Sequence, residues 1–242
     1  MKLRQHLLLA SALCGVPFIA SAADLPVKAP PKVQVVQPIP FTWTGLYVGV
    51  SGGVISEDFT ATDLGSLREN EPSWNNIGDT YGLSGTAGLF GFNVGYNWQV
   101  APNWVIGVEA DLSWTGLDDS SSTNGFTVSS KLNWLGTLRG RIGYAFDRIL
   151  IYGTGGLAYG NVEYKAFATN FPSYNFNKDT STGWTAGGGL EWAFANNWTA
   201  RAEALYVDFG DQIGFFPEGN SGCRFGFKNN YVLGRVGLNY KF

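Results

Sequence analysis

The dominant feature of this sequence is an alternation of apolar and polar residues that recurs along most of the chain. Near the C-terminus, Val236, Leu238 and Phe242 share one parity, whereas Arg235 and Lys241 share the other. Because successive side chains of a β-strand point to opposite faces, this pattern predicts a strand with one apolar and one polar face. Such a strand belongs either to a soluble β-protein with its apolar side inward or to a membrane barrel with its apolar side toward lipid.

The same alternation predicts eight strands, at residues 42–56, 86–99, 104–115, 127–145, 149–160, 182–194, 198–208 and 230–242. Short turns at 100–103, 146–148 and 195–197 alternate with long polar connections, predicted as loops at 57–85, 116–126, 161–181 and 209–228. An even strand number with alternating short and long connections is typical of bacterial outer-membrane barrels. Residues 42–242 are therefore predicted to be all-β, as an eight-stranded antiparallel up-and-down transmembrane β-barrel.

Nearly every strand gives a clear parity. In residues 127–145 the pattern places Leu132, Trp134 and Leu138 on the apolar face. Residues 149–160 are less clear because glycines blur the alternation, and there Ile151, Leu157 and Tyr159 are interpreted as outward-facing.

The charged residues of the strands indicate which face meets lipid. They lie opposite the bulky apolar residues and comprise Glu109, Asp111, Arg139, Arg141, Glu191, Arg201, Glu203 and Arg235. An Arg or Lys on the lipid face at mid-membrane costs about 2–4 kcal/mol, so we expect these side chains in the lumen. A soluble, lipocalin-like barrel would show the same parity. However, the apolar face carries too many aromatic rings for an eight-stranded interior, and the polar face is mostly Gly, Asn, Thr and Ser.

Aromatic residues also recur at the strand ends beside the short turns. They are Trp98, Trp104, Tyr144, Phe146, Phe194, Trp198, Tyr240 and Phe242. Aromatic rings are enriched at the boundary between membrane and water, so these residues are interpreted as an aromatic girdle.

The N-terminus carries the features of a secretory signal. A positively charged start is followed by the apolar residues 7–19 and a small-residue cleavage site at residues 20–22. This pattern predicts that residues 1–22 are removed, and with them Cys14 and His6.

Composition restricts the remaining functions. Residues 23–41 are rich in proline and have no periodicity, which predicts an extended periplasmic tether. Cys223 would then be the sole cysteine of the mature chain, so no intrachain disulfide is expected. The net charge of -3 gives no basic patch for nucleic acid. No cofactor or metal ion is predicted, because a His- and Cys-based site would have no histidine.

The lumen charges allow two interpretations. Glu109 with Asp111, or Glu191 with Glu203, could form a carboxylate pair for glycoside hydrolysis. The favoured interpretation is a structural ion network, because an unpaired charge in a narrow lumen is costly. Outside the barrel wall, the predicted loop 57–85 carries six acidic residues that could attract cationic partners.

Four segments of the chain resemble a known family. They are W-T-G-L-Y-V-G-V (43–50), G-V-E-A-D-L (107–112), T-L-R-G-R-I-G-Y (137–144) and R-V-G-L-N-Y-K-F (235–242). In combination they are similar to the small outer-membrane β-barrel surface antigens of alphaproteobacteria. The resemblance spans nearly the whole mature chain except its loops.

The resemblance implies a barrel in the outer membrane of a Gram-negative bacterium, surrounded by lipid and lipopolysaccharide. The even number of predicted strands places both termini on the side of the short turns, which is the periplasm. The resemblance further implies insertion by the barrel-assembly machinery, with Phe242 and Tyr240 in the insertion signal. Family members are described as surface antigens, envelope-integrity factors and host-interaction proteins. The expected function is therefore structural and interactive, through the external loops, rather than enzymatic. The alternative is a narrow porin or small-ligand conduit.

Overall fold

The computed structural model of this chain describes residues 40–66, 77–123, 126–168, 174–216 and 223–242. The predicted signal peptide with Cys14 and His6, and the predicted tether as far as residue 39, lie outside the described residues. The described part is built of β-strands, and within it no helix is long and apolar enough to cross a membrane.

Nine strands are present in the described residues. They are β1 (Gly45–Ser66), β2 (Thr80–Leu83), β3 (Thr86–Gln99), β4 (Trp104–Thr123), β5 (Phe126–Phe146), β6 (Ile149–Ala168), β7 (Tyr174–Trp192), β8 (Trp198–Phe216) and β9 (Cys223–Lys241).

These strands form a closed antiparallel barrel. Their order is β2-β1-β3-β4-β5-β6-β7-β8-β9, and β1 also pairs with β9. The short β2 lies end to end with β3, because residues 45–56 of β1 pair with β3 and residues 59–62 pair with β2. The barrel therefore has eight positions, which confirms the predicted eight-stranded fold.

The three predicted short turns occur where the alternation placed them. Residues 100–103 join β3 to β4, residues 147–148 join β5 to β6, and residues 193–197 join β7 to β8. In the second turn Asp147 has a φ of 53°, a left-handed conformation that Asp tolerates better than most residues. All three turns lie at one end of the barrel, called the turn end below.

The predicted loop bounds were wrong, because the strands continue far beyond them. β1 extends to Ser66, β4 to Thr123, β6 to Ala168 and β8 to Phe216. Most of the described residues in the predicted loops 57–85, 116–126, 161–181 and 209–228 are therefore strand, and Cys223 begins β9. Most of the described outward residues there, such as Asp58 and Ser120, are polar, although Leu64 and Ile213 are exposed apolar residues. These segments lack the apolar alternation by which the strands were recognised.

The predicted faces agree with the structure over the lower part of the wall. Val50, Trp114 and Leu138 are 41%, 48% and 53% exposed, whereas Glu109 and Arg139 are buried. Ile151 and Leu157 also face outward.

One inward residue was assigned to the wrong face. Leu132 is fully buried, because the pairing of β5 with β6 shifts register between Leu132 and Trp134. This bulge reverses the parity of β5 beyond it.

Several strands have irregularities at a similar height along the barrel axis. On the side of these irregularities away from the turn end, called the upper barrel below, the wall divides into two sheets. β4 stops pairing with β3 at Thr115, and β7 stops pairing with β8 at Trp184. β8 also shifts register against β9 between Asp208 and Asp211, where Gly210 has a φ of 71°. Above this level, β8-β9-β1-β2 form one sheet and β4-β5-β6-β7 form the other.

The two upper sheets enclose an apolar core. Buried residues from both sheets take part, including Ile55, Phe59, Leu117, Leu132 and Phe209. Rings of neighbouring strands of the β8-β9-β1-β2 sheet pack together in this core, with Phe59 stacked on Phe227 at 5.9 Å and Phe209 against Tyr231 at 5.7 Å. The upper interior is thus filled in the manner of a soluble β-sandwich.

Candidate functional site in the barrel interior

The middle of the lumen holds a closed ring of ion pairs. Arg139 donates through Nη1 to Glu203 Oε1 at 2.5 Å and through Nη2 to Asp111 Oδ2 at 3.0 Å. Arg235 donates through Nε to Glu203 Oε2 at 2.9 Å and through Nη1 to Asp111 Oδ1 at 2.9 Å. Thr137 also donates to Asp111. Two arginines and two carboxylates, from β4, β5, β8 and β9, thereby connect four strands across the lumen.

A second group of charges joins this ring through Glu109. Glu109 Oε1 accepts from Arg139 at 2.5 Å, and its Oε2 accepts from Arg201 at 2.6 Å. Tyr47 Oη donates to Glu109 at 2.7 Å and accepts from Arg141 Nη1 at 3.0 Å.

The network ends at Glu191, toward the turn end. Glu191 accepts from Arg141 Nη2 at 2.7 Å, from Thr199 Oγ1 at 2.5 Å and from Asn239 Nδ2 at 2.9 Å. All eight charged residues singled out in the sequence therefore lie in one connected network, with four arginines balancing four carboxylates.

Sequence reasoning missed the uncharged members of this network. Tyr47, Thr137, Thr199 and Asn239 complete the hydrogen bonding of the carboxylates. Their parity already placed Tyr47, Thr137 and Asn239 on the lumen face. Their role required knowledge of which strands face each other across the lumen, and the alternation does not carry this information.

The turn end of the lumen is closed by the residues that precede β1. Trp43 is 1% exposed and packs in an apolar cluster with Val105, Leu150 and Tyr152. Its indole Nε1 donates to the carbonyl of Asp147, in the β5–β6 turn, at 3.0 Å.

Phe41 and Thr42 hold the approach to this cluster in place. The Phe41 ring lies under the Lys241 ammonium at 4.4 Å and the Arg148 guanidinium at 5.1 Å. Lys241 Nζ also donates to the carbonyl of Thr42. Phe41, at the end of the predicted tether, and Trp43, which was predicted within the strand at 42–56 but precedes β1, thus form an apolar plug beneath the ionic layer.

The outer surface carries aromatic rings in direct contact around the turn end. Trp104 meets Tyr144 at 5.4 Å, Tyr144 meets Phe146 at 4.8 Å and Trp198 meets Tyr240 at 5.2 Å. The other predicted girdle residues Trp98 and Phe194, and the terminal Phe242, are also exposed on this surface.

A second set of outward rings lies near the irregularities, at Phe90, Trp114, Trp134, Tyr159, Trp184 and Tyr206. In β4 the two sets are ten residues apart, from Trp104 to Trp114. For strands tilted by 35–45° this separation corresponds to roughly 25 Å, the height of the apolar band of a membrane barrel.

The four lumen carboxylates that were considered for glycoside hydrolysis are buried and ion-paired. Glu109, Asp111, Glu191 and Glu203 are at most 5% exposed, and each accepts from an arginine. Among the described residues, no group of three or more His, Cys, Asp or Glu side chains is arranged to hold a metal ion.

Comparisons with known proteins agree with this architecture. The family model described as "Outer membrane protein beta-barrel domain" matches residues 33–242. The chain is 36% identical to the 31 kDa outer-membrane immunogenic protein of Brucella melitensis, over 98% of this chain and 100% of that protein. It is 35% identical to the 22 kDa outer membrane protein of Rhizobium leguminosarum bv. viciae, over 83% of this chain and 79% of that one.

Solved outer-membrane proteins are also similar in structure, though remotely. The outer membrane protease OmpT of Escherichia coli has a TM-score of 0.49 at 13% identity, covering 85% of this chain and 99% of that one. Ail, the attachment invasion locus protein of Yersinia pestis, has a TM-score of 0.39 at 16% identity, covering 82% and 99%.

The closed antiparallel barrel, its outward apolar band and its ionic interior define an integral protein of the bacterial outer membrane. The chain belongs to the family of outer-membrane β-barrel proteins that includes the outer-membrane immunogenic proteins of Brucella. This confirms the predicted family and location. A role as a surface antigen and structural protein fits this family, and a porin is not favoured.

Proposed function

We propose that the protein acts without catalysis, as a closed scaffold that spans the outer membrane and presents its upper sheets to the cell exterior. The observation that carries this proposal is the filled interior. An apolar plug at Trp43, an ionic layer around Arg139 and an apolar core around Phe59 succeed one another along the axis. An eight-stranded barrel is only wide enough for its own side chains, so these layers leave no path for solutes.

The orientation and partners of the scaffold belong to the same proposal. The turn end faces the periplasm with both ends of the described chain, and the upper sheets project among the lipopolysaccharide molecules. The terminal Phe242, exposed at the turn end with Tyr240 packed against it at 5.1 Å, is available to the barrel-assembly machinery as the insertion signal. Any host or environmental ligand would bind the upper sheets and their hairpin tips.

Planar-bilayer recording tests the closed lumen. The purified protein is expected to give no steady open steps under an applied voltage. Steady single-channel steps from the wild-type protein, reproduced in independent preparations, would restore the narrow-porin alternative and refute the closed scaffold.

Cysteine labelling of intact cells tests the orientation. In a Cys223→Ser background, an impermeant maleimide is expected to label Ser122→Cys, an exposed position near the end of β4. The matched control, Asn197→Cys, is also exposed, in a turn at the opposite end, and should react only after the cells are lysed. The reverse pattern would show that the barrel is inverted.

A further inference from the structure

The division of the upper barrel leaves β8 with one unpaired edge. β8 remains paired with β9 as far as Phe216, whereas its pairing with β7 ends at Asp208. β7 above this level pairs with β6 instead. In the described ladder, residues 211–216 of β8 therefore have no partner strand on the β7 side. Along such an edge, every second residue directs its N–H and C=O groups away from the sheet.

The cause of this edge is local to β8. Asp208 Oδ1 accepts from the backbone N–H of Gly210 at 2.7 Å, and Gly210 adopts a left-handed conformation with a φ of 71°. Together they form a bulge that turns β8 away from β7 and toward β9. Bulges that bend strands in this way are retained features of sheets rather than defects.

The two upper sheets expose different kinds of edge. The β4 edge, at residues 116–123, reads G-L-D-D-S-S-S-T, and Asp118 on it is exposed. Charged residues of this kind protect an edge against pairing with other chains. The β8 edge, at residues 211–216, reads D-Q-I-G-F-F, and its Ile213 is 60% exposed. Asp211 at the start of this edge is charged and exposed, whereas residues 212–216 contain no charged residue and no proline. Beyond Asp211, the β8 edge therefore lacks the charged residues that protect an edge.

We propose that the edge of β8 at residues 211–216 binds an extended polypeptide segment of another protein, which adds to the sheet as a further strand. This inference rests on the proposed function, because the edge must face the cell exterior. An extended backbone is the partner that fits, since only another backbone supplies hydrogen-bond donors and acceptors at the same spacing as the N–H and C=O groups of this edge. The exposed Ile213 would pack beside apolar residues at alternate positions of that segment.

A second copy of this chain fits the same edge poorly. Copies standing side by side in one membrane are related by an axis along the membrane normal, so their β8 strands would run parallel. A symmetric dimer requires the same residues to make equivalent contacts on both subunits. In a parallel ladder, the hydrogen bonds of the two strands are slanted and not equivalent in this way.

Fluorescence anisotropy with a labelled ten-residue peptide of alternating Thr and Val tests the proposal, using the full-length protein in nanodiscs. The peptide is expected to bind saturably. The same peptide with every second backbone nitrogen methylated, which removes donors but keeps the side chains, should not bind. Ile213→Lys should weaken binding by about tenfold or more, whereas Ser120→Lys, on the exposed face of β4, should leave it unchanged. Hydrogen exchange should slow at residues 211–216 when the peptide is bound.

Several outcomes would overturn the proposal. They are the absence of saturable binding, equal binding of the methylated peptide, and equal weakening by Ser120→Lys. Dimers in native mass spectra that disappear in Ile213→Lys would assign the edge to a second copy instead. None of these outcomes alters the bilayer recordings or the surface labelling, so failure here is distinguishable from failure of the proposed function.

Discussion

At the scale of single residues, Arg139 is the side chain whose loss should matter most. It pairs with Glu109, Asp111 and Glu203 at 3.0 Å or less. Arg139→Ala would leave these buried carboxylates without one shared cation, and breaking a buried pair costs about 3–5 kcal/mol. We expect a lower unfolding temperature, measured as the loss of heat-modifiable migration in gels. The control Lys131→Ala removes an exposed pair with Asp118 and should have little effect. Equal melting of Arg139→Ala and wild type would contradict a stabilising network.

Glu57 is a buried carboxyl group of a different kind. It was predicted to lie in an acidic loop, but it is 2% exposed in the upper core, beyond the outward Val54 of β1. Oε1 accepts from Ser130 at 2.7 Å and from Tyr231 at 3.1 Å, and Asp119 is the charged neighbour. Burial raises the pKa of Glu57, and Asp119 raises it further, against the lowering effect of the two hydroxyl groups.

The raised pKa of Glu57 predicts how the upper sheets respond to pH. The folded state holds this proton more tightly than the unfolded state, so its stabilising effect is complete below the unfolded pKa of about 4.3. It is lost as the pH rises through the folded pKa. Glu57→Gln should therefore stabilise the upper sheets at pH 8 and reduce their pH dependence. Hydrogen exchange at pH 5 and pH 8 measures both effects. Asp118→Asn is the exposed control, and an unchanged pH profile in Glu57→Gln would refute the assignment.

At the scale of secondary-structure elements, the arrangement of the upper barrel in two sheets can be tested at the β8 bulge. Gly210 has a left-handed φ of 71°, which costs an L-residue roughly 1–2 kcal/mol. Gly210→Val should therefore loosen the upper part of β8 and leave the membrane-spanning part unaffected. Hydrogen exchange should rise at residues 209–216 but not at residues 198–206. Gly116→Val, at an open position without positive φ, is the control, and equal effects would contradict a strained bulge.

The same elements show how far the sequence could predict the fold. Alternation fixed the bounds of β3 and the parity of β1, β3 and β4, because lipid outside and polar groups inside leave an unbroken period-2 signal. It failed at Leu132, where a bulge reverses the parity. It also failed beyond Val54, where water replaces lipid outside and apolar residues fill the interior. In the candidate site, parity placed the eight charges inward, but only the pairing of strands determines which of them meet.

At the scale of the whole molecule, the apolar band determines the depth of the barrel in the membrane. Val50 lies outward within the band at 41% exposure, and Ser56 lies outward above it on the same strand. Val50→Arg should make the free energy of folding into the membrane less favourable by about 2–4 kcal/mol. Less of the variant should therefore fold into lipid vesicles, which heat-modifiable migration in gels measures. Ser56→Arg adds the same charge at the water boundary and should fold nearly as the wild type. Equal folding of the two variants would contradict this depth.

The ring of Asp111, Arg139, Glu203 and Arg235 also constrains the order of biogenesis. Its members come from β4, β5, β8 and β9, and two of its ion pairs, Arg139 with Glu203 and Arg235 with Asp111, join the N-terminal half of the barrel to the C-terminal half. A half-built sheet released sideways into the bilayer would lack these two ion pairs and would expose incompletely paired ions to hydrocarbon. The nascent chain must therefore stay shielded from lipid until its first and last strands have paired. Release from the assembly apparatus should then occur in a single step, after the barrel has closed.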